Sequence, residues 1–219
     1  MIAIVDYGLG NLASVRNAFH AVGAEARVTS DPDAIREAAG VVLPGVGAAS
    51  AGMERLRKRG LDRVVHEIAH AGRPLLGICL GMQLLFDRSE EGEVDCLGLI
   101  PGTVRLLRSS EKIPHIGWNQ AMFAPDAPFR QGLSPDPYFY FVHSYVCDPR
   151  DASTVAAWTD YGERFCSAVY QGRIWGTQFH PERSGQTGLR LIGSFVDAVQ
   201  QMDQSFEDSA EIHPQVLGR

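Results

Sequence analysis

The sequence predicts an α/β fold: a mostly parallel central sheet covered on both faces, with an antiparallel extension in the second half. Three observations predict it. Short apolar runs alternate with helix-period segments through the first half, as in successive β-α units. Glycine-rich turns follow the first and third of those runs, and carboxyl ends of parallel strands are where ligands bind. Beyond residue 100 the runs become strand-like and are joined by tight turns, which favours antiparallel pairing.

Taken in order, Ile2 to Val5 reads as a first strand, followed by Asp6-Tyr7-Gly8-Leu9-Gly10-Asn11 and a helix from Leu12 to about Val22. Ala26 to Thr29 and Val41-Val42-Leu43 read as the next strands, the latter ending in Pro44-Gly45-Val46-Gly47. Leu61 to Ala71 is helical, with Leu61, Val64, Val65 and Ile68 as the buried stripe. Val104 to Leu107, Tyr138 to Val146, Val155 to Trp158, Arg164 to Tyr170 and Ile174 to Phe179 are strand-like, with turns at Asp160–Glu163 and Gln171-Gly172. Leu189, Ile192, Phe195, Val196 and Val199 mark the apolar face of a closing helix. One domain over residues 1–202 is expected, followed by a flexible acidic tail over 203–219.

Composition narrows the function. The 219 residues suit one large domain, and a net charge of −6 without a basic stretch argues against a general nucleic-acid binder. The four cysteines form no C-x-x-C pair, which fits a reducing compartment better than a disulfide framework or a zinc site. The apolar start at Met1–Val5 is cut short by Asp6, and no run reaches membrane-spanning length. A cytoplasmic location, no membrane and no cofactor are the expectations.

The chain is organised around Pro74-Leu75-Leu76-Gly77-Ile78-Cys79-Leu80-Gly81-Met82-Gln83-Leu84-Leu85-Phe86, which reads as a buried strand running into a helix. Gly77-Ile78-Cys79-Leu80-Gly81 has the form of a nucleophile elbow with sulfur in place of oxygen. The glycines let neighbouring backbone pass closely, and the helix N-terminus favours a thiolate. A buried structural cysteine is the competing explanation. Gln178-Phe179-His180-Pro181-Glu182 supplies what a thiol nucleophile needs: Pro181 restricts His180 to extended backbone, and Glu182 can hold the second ring nitrogen. His143 is a rival base, and a surface-loop role for His180 is its plain alternative. For an oxyanion hole, the Leu80 N–H is one donor, and the Gly45-Val46-Gly47 loop offers a second that its glycines could switch in or out.

Two other motifs compete. Gly8-Leu9-Gly10-Asn11-Leu12-Ala13 has the form of a dinucleotide fingerprint, but Asp6 and Tyr7 would crowd and repel a pyrophosphate, so a tight turn is the better reading. His66-Glu67-Ile68-Ala69-His70 has the form of a zinc motif, but its histidines fall opposite the buried stripe, on a solvated face. No metal is expected.

Six segments together resemble the class I (triad) glutamine amidotransferases, and among them the glutaminase subunits of imidazole glycerol phosphate synthases. They are Asp6-Tyr7-Gly8-Leu9-Gly10-Asn11-Leu12, Leu43-Pro44-Gly45-Val46-Gly47, Gly77-Ile78-Cys79-Leu80-Gly81-Met82-Gln83, Pro114-His115-Ile116-Gly117-Trp118-Asn119, Tyr140-Phe141-Val142-His143-Ser144-Tyr145 and Gln178-Phe179-His180-Pro181-Glu182. The resemblance spans about Ile2 to Val199 and implies a flavodoxin-like three-layer sandwich. It implies a Cys79, His180 and Glu182 triad, with Gln83 and the backbone of Ser144 and Tyr145 holding L-glutamine. It also implies a heterodimer in which Asn11, Trp118, Tyr140 and Arg183 lie toward a (β/α)8-barrel cyclase. Ammonia would pass to that partner, which makes imidazole glycerol phosphate and AICAR in histidine biosynthesis. Arg183 stands where the family usually has lysine, which keeps the charge and changes the hydrogen-bond geometry.

Overall fold

A computed structural model describes residues 1–135 and 137–211, with side chains described through residue 202. In chain order the first half runs β1 (Ile2–Val5), α1 (Leu12–Ala21), β2 (Ala26–Thr29), α2 (Pro32–Glu37) and β3 (Gly40–Gly45). It continues through α3 (Ala49–Lys58), α4 (Leu61–His70), β4 (Leu75–Cys79) and the short α5 (Leu80–Leu84). The second half is mostly strand: β5 (Arg88–Ser89), β6 (Val94–Asp95), β7 (Gly102–Leu106), β8 (His115–Gln120) and β9 (Met122–Phe123). Then come β10 (Tyr138–His143), β11 (Tyr145–Pro149), β12 (Val155–Tyr161), β13 (Glu163–Gln171), β14 (Ile174–Thr177) and the closing α6 (Gly185–Glu211).

The parallel core has the order β2-β1-β3-β4-β14, and β13, β11, β7, β5 and β6 continue the sheet, joined to it antiparallel at β14–β13. This is the flavodoxin-like strand order, whose binding crevice lies at the carboxyl ends beside β1 and β3. Alternate residues of β1 show the two-faced burial that such a sheet requires. Ile2 and Ile4 pack with Val15, Phe19, Ile192 and Phe195 of α1 and α6. Ala3 and Val5 belong to the opposite cluster with Met53, Leu56, Val64 and Ile68 of α3 and α4. Phe195 is fully buried, and burying a side chain of that size stabilises by about 1.5–3 kcal/mol.

Local chemistry sets the helix ends. Asn11 caps α1 by accepting from the Ser14 N–H at 3.4 Å. Asp31 caps α2, with Pro32 in the first turn, where a missing N–H costs nothing. The expected helix at Leu61 is present and buries Leu61, Val64, Val65 and Ile68.

Strands β5, β6, β8 and β9 are not among the expected elements, and the structure differs from expectation in three further places. The stretch from Tyr138 to Val146 is two strands: β10 pairs with β8 in a separate two-stranded sheet, and β11 joins the main sheet. The break falls at Ser144, whose carbonyl accepts the Leu107 N–H as the chain changes sheet. Helices α2 and α3 carry weak sequence signals, because one is six residues long and the other buries Ala49 and Gly52 along with Met53 and Leu56. The backbone of α6 continues past residue 202 to Glu211. Residues 212–219 of the expected tail, like Asp136, lie outside the described residues.

Among the described residues no helix is long and apolar enough to cross a membrane.

Candidate active site

Strand register gathers the predicted residues at one edge. Gly45 at the end of β3 lies opposite Cys79 at the end of β4, and Thr177 at the end of β14 lies opposite Ile78. The glycine loop, the cysteine and the His180 segment therefore emerge side by side. They border a cavity of about 510 Å³ whose lining includes Val46, Gly47, Cys79, Leu80, Gln83, Glu91, His143, Ser144, Tyr145, His180 and Arg183.

Cys79 sits at the elbow with φ of +54° and ψ of −110°. A side chain rarely adopts that conformation, which costs about 1–3 kcal/mol and persists where surrounding structure enforces it. Both flanking glycines are required by contact. A Cβ on Gly77 would lie 2.8 Å from the Gly81 carbonyl carbon, and a Cβ on Gly81 would overlap the Leu43 carbonyl oxygen. Leu80 begins α5, so its N–H has no acceptor within the helix.

His180 is buried, and its Nδ1 is 2.8 Å from Glu182 Oε1, itself buried. The other nitrogen, Nε2, has no hydrogen-bond partner among the described residues. Burial alone would lower the His180 pKa, but Cys79 and then Glu182 overcome it and raise it to about 10. The other three thiols are held protonated by their surroundings. Burial pushes Cys147 and Cys166 well up and Cys96 to about 11, where little thiolate forms.

Gln83 donates its amide to the Tyr145 carbonyl at 3.1 Å and to Gln178 Oε1 at 3.0 Å, leaving its own Oε1 to offer a ligand. Gln178 in turn points Nε2 at the Cys79 sulfur, 3.8 Å away. Val46 is exposed, and Gly47 beside it has φ of +97°. Behind the loop, the buried Tyr7 hydroxyl donates to the Pro44 carbonyl at 2.7 Å and fixes its base.

The outlying predicted residues fall around the mouth. Arg183 stacks on Tyr140 at 4.3 Å, and Tyr140 meets Trp118 edge-on at 6.2 Å. Trp118 is 57% exposed, in a patch with Ile116 and Tyr138 on the outer face of β8 and β10. Asn11 is exposed at the cap of α1.

Sequence reasoning missed Gln178, Glu91 and Tyr7 as residues of the site. Gln178 and Tyr7 lie inside motifs already singled out, whereas Glu91 gives no local signal. Its carboxylate reaches the cavity rim from across the fold and accepts the Ala49 N–H at 2.9 Å. The rival base His143 does line the cavity, but both its ring nitrogens are engaged within the protein. The rival motifs resolve by geometry. Arg55 and Arg59 bind the Gly8 and Asp6 carbonyls, tying that turn to α3. Glu67 pairs with Arg36 at 2.6 Å, and His70 bonds the His66 carbonyl.

The sequence and the fold of this chain are similar to those of known proteins. The family model for glutamine amidotransferase class-I matches residues 3–198. The chain is 50% identical over 196 residues to imidazole glycerol phosphate synthase subunit HisH of Dehalococcoides mccartyi strain CBDB1, covering 89% of this chain and 96% of that protein. It is 48% identical over 200 residues to the subunit of the same name from Moorella thermoacetica, covering 90% and 95%. In fold it resembles a solved glutamine amidotransferase at a TM-score of 0.73 and 19% identity, covering 91% of this chain and all (100%) of that one. It also resembles the glutaminase domain of Trypanosoma brucei CTPS with bound acivicin, at a TM-score of 0.67 and 18% identity, covering 91% and 93%. The chain belongs to the class-I glutamine amidotransferases, and within them to the HisH subunit family of imidazole glycerol phosphate synthases.

Proposed function

We propose that this chain hydrolyses L-glutamine through Cys79, His180 and Glu182 and delivers the ammonia to a partner cyclase in histidine biosynthesis. The observation that carries the reading is Cys79, held at φ +54° and lining the same cavity as His180, which pairs with the buried Glu182 carboxylate.

The Cys79 sulfur attacks the side-chain carbonyl of glutamine as its proton passes to His180. The Leu80 N–H and a peptide N–H of the Gly45-Val46-Gly47 loop receive the oxyanion of the tetrahedral intermediate. His180 protonates the departing nitrogen through Nε2, while Glu182 holds Nδ1 and fixes the tautomer. The C–N bond breaks, leaving a glutamyl thioester and ammonia. A water activated by the now neutral His180 hydrolyses the thioester, and glutamate leaves. Gln83 and the backbone at Ser144 and Tyr145 hold the substrate, and the carboxylate of Glu91 complements its ammonium group.

The exposed Trp118, Ile116 and Tyr138 patch beside the cavity mouth is suited to a partner, since aromatic anchors are enriched in interface cores. The partner is a (β/α)8-barrel cyclase that uses the ammonia to make imidazole glycerol phosphate and AICAR. Asn11, Tyr140 and Arg183 belong to the same surface. Partner binding turns the Val46 peptide into the oxyanion hole, so glutamine is spared when no acceptor is present. The family match ending at residue 198 supports a glutaminase domain over 1–202 with 203–219 appended to it. Four free cysteines agree with a cytoplasmic location.

Ammonia release is the test, measured for the chain alone, with the cyclase and its ligand, and with Cys79→Ala. The reading predicts weak turnover alone, strong turnover in the complex and none in the variant. Strong turnover alone contradicts the switch, and turnover by Cys79→Ala contradicts the triad.

A further inference from the structure

Two buried histidines outside the proposed triad form a continuous chain of hydrogen bonds that ends on the wall of the glutamine pocket. His143 Nδ1 is 2.9 Å from the Tyr145 carbonyl, the same carbonyl that accepts from Gln83. A carbonyl cannot donate, so Nδ1 carries the proton and Nε2 of the neutral ring is an acceptor. His115 Nδ1 lies 3.0 Å from that Nε2 and donates to it. His115 Nε2 is then an acceptor, and the Asn119 amide meets it at 3.3 Å. Asn119 also donates to the Asp160 carbonyl at 3.0 Å, which fixes the way its amide faces. Every ring nitrogen has one role, so the tautomer of each histidine is determined by its neighbours.

The surroundings keep this arrangement neutral and rigid. His115 is sandwiched between Tyr161 at 3.9 Å and Phe141 at 4.8 Å, with Phe165 edge-on. Burial pushes His115 to about 4 and His143 to about 3, and for His143 the neighbouring His115 and His180 add to the effect. The chain also crosses a structural joint. His143 is the last residue of β10 in the two-stranded sheet, and Tyr145 is the first of β11 in the main sheet.

We propose that His143, oriented by His115, is a positioning residue that fixes the Tyr145 carbonyl, and with it Gln83, in the geometry that binds glutamine. The inference rests on the glutaminase reading above. His143 touches no reacting atom; it sets the shape of the pocket across the joint between the two sheets. With the carbonyl released, Gln83 loses a fixed acceptor and the substrate-facing end of its side chain is no longer oriented.

The test compares His143→Asn with His143→Leu in the complex with the cyclase. The asparagine amide can reproduce the Nδ1 donor, whereas leucine keeps bulk and removes the donor. The expected result is that leucine raises the KM for glutamine about tenfold with a smaller change in kcat, as for loss of one buried hydrogen bond, and that asparagine restores most of it. In parallel, ring ¹⁵N shifts of the wild-type chain at neutral pH should report His143 protonated at Nδ1 and unprotonated at Nε2. Equal KM values for the two variants, or the opposite tautomer, would overturn the proposal, and the tautomer measurement decides even if His143→Leu does not fold. Failure of the glutaminase reading is separately visible, because the wild-type complex would then release no ammonia from glutamine, and failure of the triad because Cys79→Ala would still release it.

Discussion

At the scale of single residues, the chemistry depends on His180 being charged at neutral pH although it is buried. Burial opposes that charge, while Cys79 and Glu182 favour it and hold the ring near a pKa of about 10. That value lies above the unfolded value of about 6.5. The protonated ring therefore contributes stability that is full below about pH 6.5 and is lost as pH rises through about 10. Cys79 is the stronger of the two raising influences. Cys79→Ala should therefore bring the His180 titration several tenths of a unit or more toward the ordinary histidine range, on the order of the shifts that one nearby opposite charge produces. Ring NMR through a pH series reads this directly, and an unchanged His180 pKa in the variant would show that the sulfur does not act on the imidazole.

At the scale of elements, the turn from β4 to α5 is the part of the fold least tolerant of change. Its tightness follows from contact between two backbones: α5 begins so close to β3 that Gly81 has the Leu43 carbonyl oxygen in the place of a side chain. A strand carbonyl in the middle of a parallel core cannot swing aside as a side-chain tip can. Gly81→Ala should therefore destabilise by at least about 2 kcal/mol, in the range of overpacked cores. The comparison is Gly193→Ala in α6, where an added Cβ meets nothing within 4 Å. That substitution should be neutral or stabilising by up to about 1 kcal/mol, the helix preference for alanine over glycine. Urea denaturation of both variants checks the pair. Equal effects would mean that the turn relaxes freely and that the strained φ at Cys79 is not enforced by its flanking glycines.

At the scale of the whole molecule, β1, β2 and α4 were legible because their signals are local. Ile2–Val5, Ala26–Thr29 and the stripe Leu61, Val64, Val65, Ile68 each declare their element by apolar period alone. The Cys79 and His180-Pro181-Glu182 segments stand out for the same reason, through glycine and proline spacing that constrains the backbone directly, while their joint role as a triad follows from the family resemblance of six segments taken together. What escaped were features settled by distant contacts. The break at Ser144 is decided by where β10 and β11 find their partners, since the run Tyr138 to Val146 has no punctuation of its own. Glu91 reaches the cavity through a bond to Ala49, 42 positions away in sequence. The roles of His115 and His143 emerge only when their strands are placed side by side, residue opposite residue. The same register puts Trp118 beside Tyr140 on the outer face, and so places an exposed aromatic surface next to the cavity mouth. The central claim concerns which atom attacks glutamine. Its most direct measurement is covalent labelling of the full chain with a glutamine-like electrophile, followed by peptide mass mapping with and without excess glutamine. The account predicts a single adduct on Cys79 that glutamine suppresses and that Cys79→Ala abolishes. An adduct on Cys96, Cys147 or Cys166, or one on Cys79 that glutamine does not slow, would contradict it.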